Sequence, residues 1–315
     1  MENYTSLSDI RTYRQSIDFM HDNQLVTYSL QSSSSESNTE DDQDEQFDTS
    51  RRLAQKNIGA CLLDELELFR KTYIILSTHI DDCVQSLLKI YTKYLRTFFS
   101  SLKRNHIENE NFDLMLLIAC ENTIVGFLFT KLWPCVLRLN YENDQAVHLK
   151  CIQLTNYLKL KSSIDNFKSP MIITDESANL CSKFFNIEQK YFRLNTQPIL
   201  TEIKRLPLLN VPYEKLECIK TVIDLLSNEL TITLASQKEQ AVITSEILIP
   251  LVAFILIKSG LNCLYSIVFF IEKFQLSAQQ TLRAVNSMGG LDELAYFVVT
   301  FRTAIQFIES SKIYI

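Results

Sequence analysis

Five glycines in a chain of 315 residues leave few ways to fold it. Hairpin turns, strand bulges and phosphate-binding loops all use glycine for backbone conformations that other residues adopt only at a cost. Six prolines are the remaining strong breakers, so the chain is suited to helices joined by short links. An all-α fold follows. Hydrophobic residues make up 46% of the chain, enough for a sizeable core once the polar N-terminal part is set aside.

The apolar spacing agrees. Leu62, Leu63, Leu66, Phe69, Tyr73 and Ile74 recur at helical intervals, and the pattern resumes through Val84, Leu87, Leu88, Tyr91, Tyr94 and Leu95. This predicts one long helix, or two stacked ones, to about Lys103. Residues 112–139, "FDLMLLIACENTIVGFLFTKLWPCVLRL", are apolar nearly all round, as a central buried helix is. Glu121 in its middle needs a partner there, either Lys131 or a basic residue elsewhere. An amphipathic helix follows in "DQAVHLKCIQLTNYLKL", whereas 162–195 leaves loop and short helical pieces open.

Further on, "PILTEIKRL" reads as a short helix. "NVPYEKLECIKTVIDLLSNEL" starts as a helix should, with Asn210 as cap, Pro212 near the first turn and Glu214 at the positive dipole end. Lys215 is expected to make a structural ion pair on that helix. "NCLYSIVFFIEKF", "SAQQTLRAVNSM" and, after the break at "MGG", "LDELAYFVVTFRTAIQFIES" complete the helices. The best strand candidate is "LTITL" at 230. Residues 1–30 carry a weak helical pattern. The serine-rich, then acidic stretch that follows to about residue 50 has almost nothing to bury and reads as a disordered linker.

Several function classes are disfavoured. A formal net charge of -6 gives no reason to expect nucleic-acid binding. The eight cysteines include no CxxC pair and the four histidines are dispersed, so neither a disulfide framework nor a metal site is expected. The opening "MENYTSLSDI" lacks the apolar core of a signal peptide. The longest apolar run, Ile247 to Ile257, falls short of the roughly 20 residues that span a bilayer. A soluble, cytoplasmic chain is the expectation. No phosphate loop, GxSxG or HExxH occurs, and adjacent acids such as Asp81–Asp82 point apart on a helix. Covalent catalysis is not expected, nor is a cofactor; that leaves protein binding, regulation or scaffolding.

One stretch is chemically odd. In "SEILIPLVAFILIK" (245–258) an apolar run begins just after a single carboxylate, Glu246, and Pro250 interrupts it. A proline inside a helix removes a donor and clashes with the preceding turn, at about 3 kcal/mol or more. At i,i+4, Glu246 and Pro250 share one helix face.

Three segments carry a resemblance. "PYEKLECI" from Pro212, "SEILIPLVAFILIKSGLNCLYSIVFFIEKF" from Ser245 and "DELAYFVVTFRTAIQFI" from Asp292 are similar, in order, spacing and helical setting, to the vacuolar protein sorting nine domain. The resemblance extends upstream to about 108 through "CENTIVGFLFTKLWPCVL" and "HLKCIQL". It implies a helical bundle at about 108–205 packed against a layered catalytic half at about 206–312, within 108–315. Residues 51–107 are then additional bundle helices and 1–50 a mostly disordered segment.

The resemblance further implies guanine-nucleotide exchange on a Rab-family GTPase of the early-endosomal (Rab-five) branch, and so recruitment to early endosomes. In the family an aspartate four residues before a proline is pushed into the nucleotide site; here those positions hold Glu246 and Pro250. Tyr296 matches a tyrosine that faces the GTPase switch regions, and Glu293 matches an acid one turn earlier. Val299 stands where the family has a threonine. Thr300, about 100 degrees further round the helix, is not an equivalent donor. Glutamate keeps the charge with less fixed geometry, and valine keeps the shape without the hydroxyl. A non-catalytic GTPase-binding adaptor on the same fold is therefore the alternative.

Overall fold

A computed structural model describes residues 41–102, 110–160, 173–236, 243–277 and 289–312. These form ten α-helices: α1 (Asp41–Thr72), α2 (Ile80–Leu102), α3 (Glu110–Leu139), α4 (Tyr141–Tyr157), α5 (Asp175–Phe185), α6 (Gln197–Ile203), α7 (Pro212–Ser236), α8 (Ser245–Ser259), α9 (Leu264–Phe274) and α10 (Gly289–Ser310). No strand occurs among the described residues. The weak pattern at 1–30 and all but the first residue of "SAQQTLRAVNSM" lie outside them.

Three local expectations are corrected. Residues 41–50, read from sequence as linker, form the first turns of α1. Acidic residues favour the positive end of a helix dipole, so "DDQDE" suits a helix start as well as it suits a linker. "LTITL" is not a strand but lies within α7. Leu226, Leu230 and Leu234 are all buried at intervals of four, and that period overrides the β-propensity of the threonines. The "MGG" glycines, expected to break the chain ahead of the last helix, instead open α10 at Gly289.

The chain divides into two compact units. Residues up to Cys135 with the stretch beginning at Lys273 form the first, and Val136–Glu272 with α10 form the second. The division falls inside α3 rather than before it.

In the first unit α1 packs on α2, and Leu62, Leu66, Leu87, Tyr91, Ile124 and Leu128 are fully buried. Glu65 on α1 accepts from Lys93 Nζ at 2.6 Å and Tyr94 OH at 2.8 Å on α2. Lys131 of α3 donates to the Arg70 carbonyl at 2.6 Å, supplying a cation to the orphan carbonyls at the end of α1. Lys131 is therefore not the partner of Glu121. That carboxylate is fully buried and accepts the Ser277 N–H at 2.7 Å.

By length and apolarity alone, Leu116–Leu139 of α3 is long enough to cross a bilayer, and half of its most apolar window is buried inside the protein. The expectation from sequence rests only on the shorter run in α8.

The second unit is organised on α8, which packs against α10, α4 and α6. α8 ends at Gly260, whose positive φ of 69° closes the helix in the left-handed conformation that glycine adopts without strain. The chain then turns by 117° into α9. That turn is fixed from α4. Asp144, nearly fully buried, accepts the N–H groups of Tyr265 and Ser266 at 2.8 and 3.2 Å and the Ser266 hydroxyl at 2.5 Å. It thus caps α9 from another helix. Burial pushes its carboxyl group upward from the ordinary value, while the hydrogen bonds from Ser266 and Tyr265 pull the other way.

Removing this cap leaves buried donors without an acceptor. Asp144→Ala is expected to cost about 2–4 kcal/mol in urea denaturation of the full chain. A loss below about 0.5 kcal/mol would mean that α9 holds its direction without the carboxylate.

Candidate functional site

Glu246 occupies the first turn of α8 and is exposed. Thr244 precedes the helix in an extended conformation, as expected of a cap, but its hydroxyl makes no capping bond. Its carbonyl instead receives the N–H groups of Ile247 and Leu248 at 3.0 and 2.9 Å. Glu246 thus supplies the negative charge at the positive end of the helix.

Pro250 lies inside the helix, not at its start, and is buried. An α-helix pairs each N–H with the carbonyl four residues back, so Pro250 removes the bond to the carbonyl of Glu246. The acid and the gap in the ladder belong to the same residue. The rest of α8 absorbs the cost. Leu251 through Ile257 are all buried, and each buried apolar side chain of leucine size contributes about 1.5–3 kcal/mol, against about 3 kcal/mol for the proline.

Aromatic side chains join α8 and α10. Phe185, the last residue of α5, meets Phe254 of α8 edge-on at 6.2 Å and stacks on Phe307 of α10 at 5.7 Å. Phe192 adds a contact to Phe254 at 5.2 Å. The C-terminal halves of α8 and α10 therefore share one neighbour. The two helices also pack on each other. Glu246 and Pro250 lie in the N-terminal half of α8, and Tyr296 and Val299 in the N-terminal half of α10.

α10 turns two large side chains outward. Tyr296 is 50% exposed and Val299 61%. The opposite face, Phe297, Val298, Phe301, Ala304, Ile305 and Ile308, is buried. The Tyr296 ring is steadied by an edge contact with Phe297 at 5.6 Å. Thr300 is buried, and its hydroxyl donates to the Tyr296 carbonyl at 2.9 Å. The hydroxyl next to Val299 is therefore spent inside the helix, and Thr300 offers no outward donor. Glu293 lies in α10 one turn before Tyr296; its side chain falls outside the described part of the structure.

Two buried lysines help to position these helices. Lys258, at the far end of α8, is buried, donates to the Thr196 hydroxyl at 2.8 Å and lies over the Phe254 ring at 5.3 Å. Burial pushes it down to about 8. Lys215, expected to form an ion pair along its helix, is fully buried. It donates to the Leu206 carbonyl at 2.5 Å and faces the Phe270 ring at 5.7 Å. Burial also brings Lys215 down to about 8. Charge within an otherwise apolar run was the available signal, most plainly at Lys258.

A half-open cleft of about 270 Å³ is lined by residues that include Tyr265, Phe269, Glu272 and Arg302, but by none of Glu246, Pro250, Tyr296 or Val299. Glu246, Tyr296 and Val299 are exposed and lie outside the lining of this cleft. No group of three or more metal-ligating side chains occurs among the described residues. Exposed side chains of this kind are suited to a protein partner.

Residues 196–313 match the Vacuolar sorting protein 9 (VPS9) domain. The chain carries a VPS9 domain. The match spans the helices α6 to α10 and does not take in 108–195, over which the resemblance in sequence extends. No curated protein matches the chain. The VPS9 family binds small GTPases of the Rab family and promotes their guanine-nucleotide exchange. In this VPS9 domain the exposed acid, the buried proline and the exposed tyrosine and valine occupy the helices α8 and α10.

Exposed side chains on a helix whose other face is buried can be removed without unfolding it. Tyr296→Ala and Val299→Ala are each expected to change stability by no more than about 0.5 kcal/mol. Phe301→Ala should cost about 3–5 kcal/mol. Thermal unfolding of the three variants checks this, and a large loss for either exposed position would move that residue into the core.

Proposed function

We propose that this protein is a guanine-nucleotide exchange factor for an early-endosomal Rab GTPase, with Glu246 as its acidic finger. The reading rests most on one observation: α8 is buried from Pro250 to its last residue, yet opens on an exposed carboxylate one turn before that proline. A stable helix needs neither feature.

The chemistry follows from charge. A GTPase holds GDP through Mg²⁺ and a P-loop lysine on the phosphates. A carboxylate delivered into that site competes for the lysine, repels the phosphates and disfavours retention of the metal. Glu246 would do this from the end of a helix whose remainder is anchored in the core, so its approach is fixed by packing. Tyr296 and Val299 would provide an aromatic and an apolar contact to the switch regions, with Glu293 one turn before them. Pro250 shapes the first turns beneath them. An exchange factor of this kind works in the cytoplasm, with recruitment to early-endosome membranes, and regulates endocytic traffic.

The alternative is a GTPase-binding adaptor that does not accelerate exchange. Val299 favours it, since a family hydroxyl is replaced by an exposed side chain that can only pack. The missing hydrogen bond is worth roughly 0.5–1.5 kcal/mol, a severalfold to tenfold effect rather than an abolition.

The experiment is release of a fluorescent GDP analogue from a panel of early-endosomal Rab GTPases, with the full chain added. Acceleration is expected with the parent, reduced at least tenfold in Glu246→Ala and kept or raised in Glu246→Asp. Val299→Thr should raise it severalfold. A folded parent and aspartate variant that both leave GDP release unchanged, while still binding a GTPase, would establish the adaptor instead.

A further inference from the structure

Glu121 belongs to the first unit and has no part in the exchange chemistry proposed above. It lies in the middle of α3 with its side chain fully buried. Its Oε2 accepts the Ser277 N–H at 2.7 Å, and the Ser277 hydroxyl and Leu276 N–H also face the carboxyl group. Leu276 and Ser277 are themselves buried. Leu276 comes two residues after the end of α9, and the pair stands at the root of the chain leading on to α10. The other oxygen, Oε1, has no hydrogen-bond partner among the described residues.

Among the described residues no cation is placed to neutralise this carboxylate. Lys131, on its own helix, is engaged with the Arg70 carbonyl. Lys273, at the end of α9, donates to Asp81 of α2 at 2.7 Å. The described titratable groups that feel the carboxyl group are Tyr91 of α2 and Cys120 of α3. Both are fully buried, and both are pushed upward, by burial first. Tyr91 donates its hydroxyl to the Leu117 carbonyl at 3.2 Å. Neither carries charge near neutral pH. A carboxylate there has its donors on one oxygen, with the other left unmet.

We propose that Glu121 is a proton-operated latch: protonated, it holds Leu276 and Ser277 against α3, and loss of its proton favours release of that pair so that the charge can reach water. The direction follows from linkage. Burial raises the carboxyl group from 4.5 to about 7 when the latch is closed. An open latch, with the group solvated, titrates near its ordinary value. The closed form therefore binds the extra proton between those two values. Opening is least favoured below about 4.5, rises up to tenfold per pH unit through the window, and levels off above about 7. Closure is fully favoured in acid and is lost as pH rises.

Hydrogen–deuterium exchange of the Leu276 and Ser277 amides in the full chain, corrected for the intrinsic pH dependence of exchange, reads the latch directly. Protection is expected to fall roughly 50-fold between about pH 5 and about pH 7.5 in the parent. In Glu121→Gln, which keeps an acceptor but cannot ionise, it should change less than about threefold. Flat protection in the parent overturns the latch, as does a parent-like slope in the glutamine variant. Should that variant fail to fold, the parent decides by itself, because a fall confined to the window below about 7 is the signature of this carboxyl group.

Discussion

Burial of α8 is the constraint on which the second unit depends. From Pro250 onward the helix has no solvent face: Leu251 through Ile257 are all in the core, and α10, α4 and α6 pack around it. An internal proline is tolerated because so much apolar surface is removed from water beyond it. The same burial makes the exposed start of the helix distinctive. Only the first turn, with Glu246, projects from the packed part, and its direction is inherited from the rod behind it.

Buried polar groups decide how the helices are arranged around that core. Asp144 reaches from α4 to cap α9, Lys258 ties the end of α8 to Thr196, and Lys215 holds the turn at Leu206. In the first unit Lys131 and Glu121 act similarly at Arg70 and Ser277. Each such bond contributes only about 1 kcal/mol net, but a buried group left unmet costs about 1–3 kcal/mol. Their effect is therefore to penalise alternative packings more than to stabilise the observed one. Apolar contacts, which are not directional, would permit several.

The split between apolar packing and directional polar contacts explains which features were legible in the sequence. The helical class was legible in the scarcity of glycine and in the spacing of residues such as Leu62, Leu66 and Leu87. The odd chemistry of Glu246 beside Pro250 was legible too, because the two are close neighbours in the chain. Partners distant in sequence were not. Nothing near Glu121 points to Ser277, 156 residues away, and nothing near Asp144 points to Ser266, 122 away. "LTITL" misled because threonine carries local β-propensity, whereas the buried leucines around it have a helical period. The acidic stretch at 41–50 misled because the same residues suit a linker and a helix start.

The exposure of Tyr296 and Val299 has a consequence for descent. The residues that keep α10 in place and the residues it presents to the outside are different sets, on opposite faces of one helix. Mutation can rewrite the presented set without passing through an unstable intermediate. A lineage carrying this frame is thus free to trade one recognition chemistry for another by single steps.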